Sequence, residues 1–319
     1  MVMLIAKALL PVYVGLALGY FAGKRKMVDN LNVGSLNSLL MQFALPFSLF
    51  LAIASTPRGE IVADGRFAIV MVLMMVLTFA PMLWLSRRAF KVDGSAAAVH
   101  ALTVSFPNVA GVGLPVLIAA FGPRAALPVA IGIAAGAVTI SPLTLALLEI
   151  AKSDAAGAGK GGSPFATFFS ALGRSLRRPI FVGPALGVLV SALGLTPPPL
   201  LAASLGPVTA CTAGVGLFLT GLMLSAQPIR LDGKVAFSVV IANLLQPLLA
   251  LGLAVLLGLS MRQRIDAVVM ATLPCGFFGL VFGANFGARP AVAGSTLVFS
   301  SLLSALTLAA VLSLSFSAP

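Results

Sequence analysis

Apolar stretches follow one another along the whole chain, separated by short polar connections. A hydrocarbon core of about 30 Å takes about 20 apolar helical residues to cross. Ten stretches meet that requirement: 3–23, 31–54, 66–86, 96–121, 127–149, 179–195, 201–226, 234–260, 267–288 and 293–316. The pattern predicts an all-α polytopic membrane protein with ten transmembrane helices. Two stretches are interrupted near their middles. The fourth carries Ser105-Phe106-Pro107-Asn108-Val109-Ala110-Gly111-Val112-Gly113-Leu114-Pro115, and the ninth Thr272-Leu273-Pro274-Cys275-Gly276-Phe277-Phe278-Gly279. Inside a membrane, non-helical backbone is tolerated only where protein or a water-filled cavity satisfies it. Matched breaks in two halves of a chain point to a transporter's binding site, and the expectation is a secondary transporter.

The halves are separated by residues 151–178, a Gly-, Ala- and Ser-rich basic stretch that reads as a flexible cytoplasmic linker. Residues 1–150 form a first five-helix repeat and 179–319 a second. An odd number of spans per half makes any repeat inverted in the membrane. Short strings echo in order: Leu49-Phe50-Leu51 with Leu217-Phe218-Leu219, Pro107 with Pro274, and Phe121-Gly122 with Phe286-Gly287.

The breaks have a chemistry of their own. Pro107 lacks a backbone donor and clashes with the preceding turn. Gly111 and Gly113 permit unusual backbone, and Pro115 is pre-set to start a new half-helix. Unwinding would expose free amides and a positively polarised helix end near mid-membrane, an environment suited to a carboxylate. Asn108 adds amide donors and an acceptor. Pro274, Gly276 and Gly279 repeat the break in the second half, with Cys275 standing where Asn108 would be. A pair of kinked helices with no ligand is the competing explanation, and the matched placement of the breaks weighs against it.

Few other polar residues lie within spans. Asn243 and Gln246, one turn apart before Pro247, are candidate substrate contacts, although amides also bridge membrane helices. His100, the single histidine, is a candidate for proton coupling or a neutral, hydrogen-bonded group. All eight Asp and Glu residues fall in connections or at span ends. Intramembrane carboxylates mark cation and proton pathways, so their absence argues against a cation carrier and favours a small anion held by dipoles and amides.

Composition agrees. Sixty per cent of residues are hydrophobic and 9% charged, against roughly 25% charged in a soluble domain. The net charge of +12 is not a nucleic-acid footprint, because most Lys and Arg residues fall on alternate connections. Basic residues favour the cytoplasmic side, which places both termini outside; some attraction to anionic membrane lipid follows. The first span has no basic region before it or cleavage signature and reads as a retained helix. Cys211 and Cys275 form neither a disulfide framework nor a metal spacing, and no cofactor or metal is expected.

At these residues the chain resembles the auxin efflux carrier family, especially its bacterial branch of malonate-, malate- and oxalate-type permeases. The resemblance rests on Leu10-Pro11 with Leu18-Gly19-Tyr20, Leu36-Asn37 through Ala44-Leu45-Pro46, Ser105-Phe106-Pro107-Asn108 through Gly113, and Leu273-Pro274. It implies two inverted five-helix repeats, with spans 1, 2, 6 and 7 as a scaffold. Spans 3–5 and 8–10 would form a mobile transport domain, in which helices 4 and 9 cross near the midplane. It also implies a multi-pass protein of the bacterial inner membrane with periplasmic termini, a homodimer through the scaffold, and elevator-type transport of a small mono- or dicarboxylate. Asn108 would contact the substrate carboxylate beside Pro107 and Pro274. Cys275 departs from the family by replacing a more polar companion, and no long central hydrophilic loop is present, so a plant-hormone role does not carry over.

Two other function classes compete. An intramembrane enzyme would need paired acids, a His–acid constellation or a metal motif within the spans, and none occurs in the sequence. An anion channel or a sensor that binds a carboxylate without coupled transport remains the alternative.

Overall fold

The computed structural model describes residues 2–155 and 176–317, with Ala166, Phe169, Ser170, Leu172 and Gly173 between them. Most of the expected linker at 151–178, including Lys160 and Arg174, lies outside the described residues. Every regular element described is helical. In chain order they are α1 (Val2–Lys24), α2 (Gly34–Ala54), α3 (Gly65–Arg88), α4a (Gly94–Ser105), α4b (Val109–Phe121) and α5 (Pro123–Lys152). After the linker come α6 (Pro179–Ala192), α7 (Pro199–Ser225), α8 (Gly233–Leu256), α9a (Met261–Ala271), α9b (Phe278–Asn285) and α10 (Ala291–Ser317). A short helix, Arg58–Ala63, joins α2 to α3. Six of them, α2, α3, α5, α7, α8 and α10, are long and apolar enough to cross a membrane on their own.

Several helix starts are written into the sequence. The Asp93 carboxylate accepts from Ala96 N at 3.0 Å and opens α4a; the Asp232 carboxylate accepts from Val235 N at 2.9 Å and opens α8. Ser260 and Gln263 form a reciprocal capping box at the start of α9a. The two half-helices α4b and α9b are each followed by a glycine of positive φ, Gly122 at +79° and Gly287 at +75°, backbone that glycine adopts without steric cost. The Phe-Gly echo between the halves is thus a shared helix terminus.

Prolines leave a second mark, which the apolar pattern did not predict. Leu45, Leu114 and Gln246 each precede a proline, and each donates its N–H to the carbonyl five residues back, on Leu40, Val109 and Ile241. Proline lacks the amide for the usual bond and its ring pushes that carbonyl away, so the helix widens by one residue per turn. Pro46, Pro115 and Pro247 therefore set a wide turn inside α2, at the start of α4b and inside α8.

The helices pack in two groups. α1 lies along α7, with Gly19 against the Phe218 carbonyl and Gly221 against the Leu16 carbonyl. α6 lies along α2, with Gly183 against the Pro46 carbonyl and Gly187 2.9 Å from the Phe50 carbonyl, measured from the Cβ it lacks. Small residues let membrane helices approach to backbone contact, which replaces a hydrophobic drive that lipid does not supply. The second group centres on α3, α4a, α8 and α10. Its core is apolar and dense, including Phe67, Met71, Met74, Phe79, Val99 and Leu297, all buried.

Candidate functional site

The two interrupted helices meet. α4a stops at Phe106, which is extended (φ −104°, ψ 100°) because the residue before proline is kept out of the helical region. α9a stops at Ala271, and the chain stays non-helical until α9b begins at Phe278. The break segments run antiparallel, with Pro107 opposite Cys275. Asn108 N donates to Pro274 O at 2.8 Å, and Gly276 N donates to Thr103 O at 3.2 Å. A Cβ at Gly276 would fall on the Phe106 carbonyl oxygen, so only glycine allows the segments to lie this close.

Several of the freed amides are paired within the protein. The Asn108 side chain accepts from Gly111 N at 3.0 Å, and the Asn108 carbonyl accepts from Val112 N and Gly113 N at 3.0 and 2.9 Å. Cys275 N donates to Ser300 Oγ at 2.9 Å. Sequence reasoning expected unpaired amides awaiting a carboxylate; those of Asn108, Gly111, Val112, Gly113, Cys275 and Gly276 are bonded within the protein. Pro107, Asn108, Gly111, Gly113, Pro274, Cys275 and Gly276 are all brought together and all buried.

Asn108 also reaches out of its group. Its Nδ2 donates to Thr220 Oγ1 on α7 at 3.2 Å, and Thr220 Oγ1 in turn donates to Gly216 O at 2.8 Å. Gly111 sits in the same contact: a Cβ there would meet Asn108 Oδ1 and Thr220 Oγ1, each at 2.7 Å. Sequence reasoning missed Thr220. The signal available was Gly216 one turn before it, a small-residue face on an apolar helix.

Asn243 and Gln246 stand behind the crossing, on the wide turn of α8. Gln246 Nε2 donates to Ser105 O at 2.8 Å and to Met74 Sδ at 2.9 Å, capping a carbonyl at the end of α4a. Asn243 Nδ2 donates to Ser300 O at 3.3 Å, while its Oδ1 is buried without a partner. His100 is fully buried on α4a. Its Nδ1 shares a hydrogen bond with Ser86 Oγ at 2.9 Å, its Nε2 lies 3.5 Å from Thr296 Oγ1, and its ring packs on Phe90 at 6.0 Å. The histidine thus ties α3, α4a and α10 together.

A cavity of about 490 Å³ opens beside the crossing. Phe106 and Phe278, with ring centroids 5.3 Å apart, form its inner wall. Asn37 and Gln42 of α2, Ser141 of α5, and Arg177 and Arg178 ahead of α6 supply its polar groups. The cavity therefore lies between α2 and α6 on one side and the two broken helices on the other. Arg177 and Arg178 are exposed, Phe278 is half-buried and Phe106 is buried.

The family model described as membrane transport protein matches residues 4–312. Transporter YfdV of Escherichia coli (strain K12) is 25% identical over 294 residues, covering 92% of each chain. The "Putative malonate transporter" of Rhizobium meliloti (strain 1021) is 26% identical over 322 residues, covering 95% of this chain and 93% of its own.

Proposed function

The chain belongs to the membrane transport protein family, that of the auxin efflux carriers, and from that premise we propose that it is a secondary carrier of a small organic anion, with a malonate-type mono- or dicarboxylate as substrate. The family makes it a multi-pass membrane transporter; the geometry of the site bears on substrate and mechanism. The observation that carries them is the crossing of α4 and α9, whose one polar reach toward the other helix group is Asn108 onto Thr220.

The mechanism we infer is elevator-type alternating access. α1, α2, α6 and α7 form the scaffold of two close pairs, α1 with α7 and α2 with α6. Exchanging each helix for its counterpart five places on maps one pair onto the other, as inverted repeats require. α3–α5 and α8–α10 form the moving body, cross-linked internally by Gln246–Ser105, Cys275–Ser300 and the His100 contacts. Asn108–Thr220 and Tyr13–Ser304, the latter at 3.1 Å, link the two bodies. Two such bonds are worth about 1 kcal/mol each, weak enough to part on every cycle.

Substrate binding follows from the same geometry. When the moving body leaves α7, the Asn108 amide loses Thr220 and gains freedom to donate to a carboxylate. The Asn108 Oδ1 bond to Gly111 N keeps the side chain aimed while this happens. Asn243 and Gln246 brace the crossing from behind, and the His100 network holds the body rigid. The R. meliloti relative, whose name carries malonate, supports this substrate class, as does the basic mouth of the cavity. An inner-membrane location, periplasmic termini and a homodimer through the scaffold complete the proposal.

The test is counterflow in proteoliposomes preloaded with malonate, oxalate, malate, lactate or an aromatic acetate. We expect saturable exchange of one acid, lost in Asn108→Ala. Folded protein that exchanges none of them would refute the organic-anion reading. Conductance without counterflow would identify a channel instead.

A further inference from the structure

Two cavities flank one helix. On α2, Asn37, Ser38, Met41 and Gln42 line the cavity beside the crossing. Further along the same helix, Ser48, Leu51, Ala52 and Ser55 line a second, also about 490 Å³. From the end of the wide turn onward residues three and four apart share a helix face, so Leu45, Ser48, Ala52 and Ser55 make one stripe, with Ser38 and Met41 preceding it. The single position of that stripe in neither lining is Leu45, fully buried between the two cavities.

Charge singles out both cavities. Arg177 and Arg178 line the first, Arg124 lines the second, and neither lining contains an Asp or Glu. In the first cavity Asn37 offers a further polar group, its Oδ1 buried with no hydrogen-bond partner. The walls facing α2 come mostly from the moving body: Phe106 and Phe278 at the crossing with Ile133, Ala137 and Ser141 of α5 in the first cavity, and Pro123 and Arg124 at the start of α5 in the second, which Thr209 of α7 also lines.

The geometry points to a two-vestibule anion route along one face of α2, with Arg177 and Arg178 collecting the anion on the linker side and Arg124 on the other. Leu45 is the fixed partition past which the broken helices carry the anion. Because α2 belongs to the scaffold, the partition stays still while the crossing moves. Each arginine set then acts from its own side only. The inference rests on the carrier reading for what is carried, but the route can be probed without knowing the substrate.

The experiment uses full-length protein in sealed proteoliposomes, in a Cys211→Ser background whose residual labelling is subtracted. Single cysteines at Ser38→Cys and Ser55→Cys are treated from each side with an anionic and a cationic thiosulfonate. We expect Ser38→Cys to react from the linker side and Ser55→Cys from the opposite side. Arg177→Gln with Arg178→Gln should slow only the anionic reagent at Ser38→Cys, about fivefold, and Arg124→Gln should do so only at Ser55→Cys. Where malonate exchanges, the same replacements should raise its half-saturating concentration from one side and leave the other unchanged. Reaction of both cysteines from one side, or loss of arginine dependence, would overturn the route. Intact side-specific labelling without exchange of malonate would support the route and refute the substrate.

Discussion

Gly276→Ala places one methyl group where two backbones cross. The added Cβ would overlap the Phe106 carbonyl oxygen and come within 3.5 Å of the Pro107 carbonyl oxygen. Neither neighbour is a side chain that can swing away, so the break segments must separate. Separation strains the Gly276–Thr103 and Asn108–Pro274 bonds, at 3.2 and 2.8 Å. A buried group left unpaired costs about 1–3 kcal/mol, and overpacking costs about 1–3 kcal/mol more. The total, about 2–6 kcal/mol, is a large share of the roughly 5–15 kcal/mol that holds a typical domain together. At about 2–4 °C per kcal/mol, the unfolding midpoint should fall by roughly 4–24 °C. Gly214→Ala is the control: it lies in α7 with nothing within 4 Å of the added methyl, where alanine should be neutral or favourable by up to about 1 kcal/mol. Thermal unfolding of the purified protein in one detergent, followed by intrinsic fluorescence, compares the two. Equal midpoints for Gly276→Ala and Gly214→Ala would refute the close crossing.

Thr220→Val keeps the shape of α7 but removes the acceptor for the Asn108 amide; a loss of about 1 kcal/mol corresponds to about fivefold in population. Hydrogen exchange over 109–113 should quicken accordingly, and unchanged exchange would mean that the contact contributes nothing. Gln246→Leu strands the Ser105 carbonyl and should cost about 1–3 kcal/mol, read as a lower denaturation midpoint; a neutral result would remove Gln246 from the bracing role. Asp93→Ala and Asp232→Ala each delete one helix cap and should cost about 1 kcal/mol apiece, additively because they cap different helices. N-ethylmaleimide should modify the half-buried Cys211 well before the fully buried Cys275; the opposite order would place Cys275 on an open surface.

The apolar stretches and their two interruptions were legible because length and proline act locally. Pro107 and Pro274 end helices wherever the rest of the chain lies. The partners of the interruption were not legible. That Pro107 faces Cys275 depends on how α4 and α9 cross, and no spacing within either helix encodes it. The same holds for Thr220, an ordinary apolar-helix threonine until Asn108 arrives from another element. Unwound backbone was expected to offer open amides. Several of its amides are paired instead: Gly111, Val112 and Gly113 by Asn108 of the same break, Cys275 by Ser300, and Asn108 and Gly276 across the crossing. The wide turns before Pro46, Pro115 and Pro247 have a local cause and could have been read from the prolines, but proline read as a helix breaker or as a half-helix start does not reveal them.

The antiparallel contact of the two breaks also bears on how the chain is made. α4 is synthesised and inserted long before α9 exists, so the Asn108 amide enters the bilayer without the Pro274 carbonyl it will bond. Until the second half arrives, the first must shelter an open backbone donor, by hydration, by the translocation machinery or by staying shallow. The crossing is therefore a late event in biogenesis, and the N-terminal half expressed alone should be a poor membrane resident. Co-expression of the C-terminal half should rescue it, even with the linker cut.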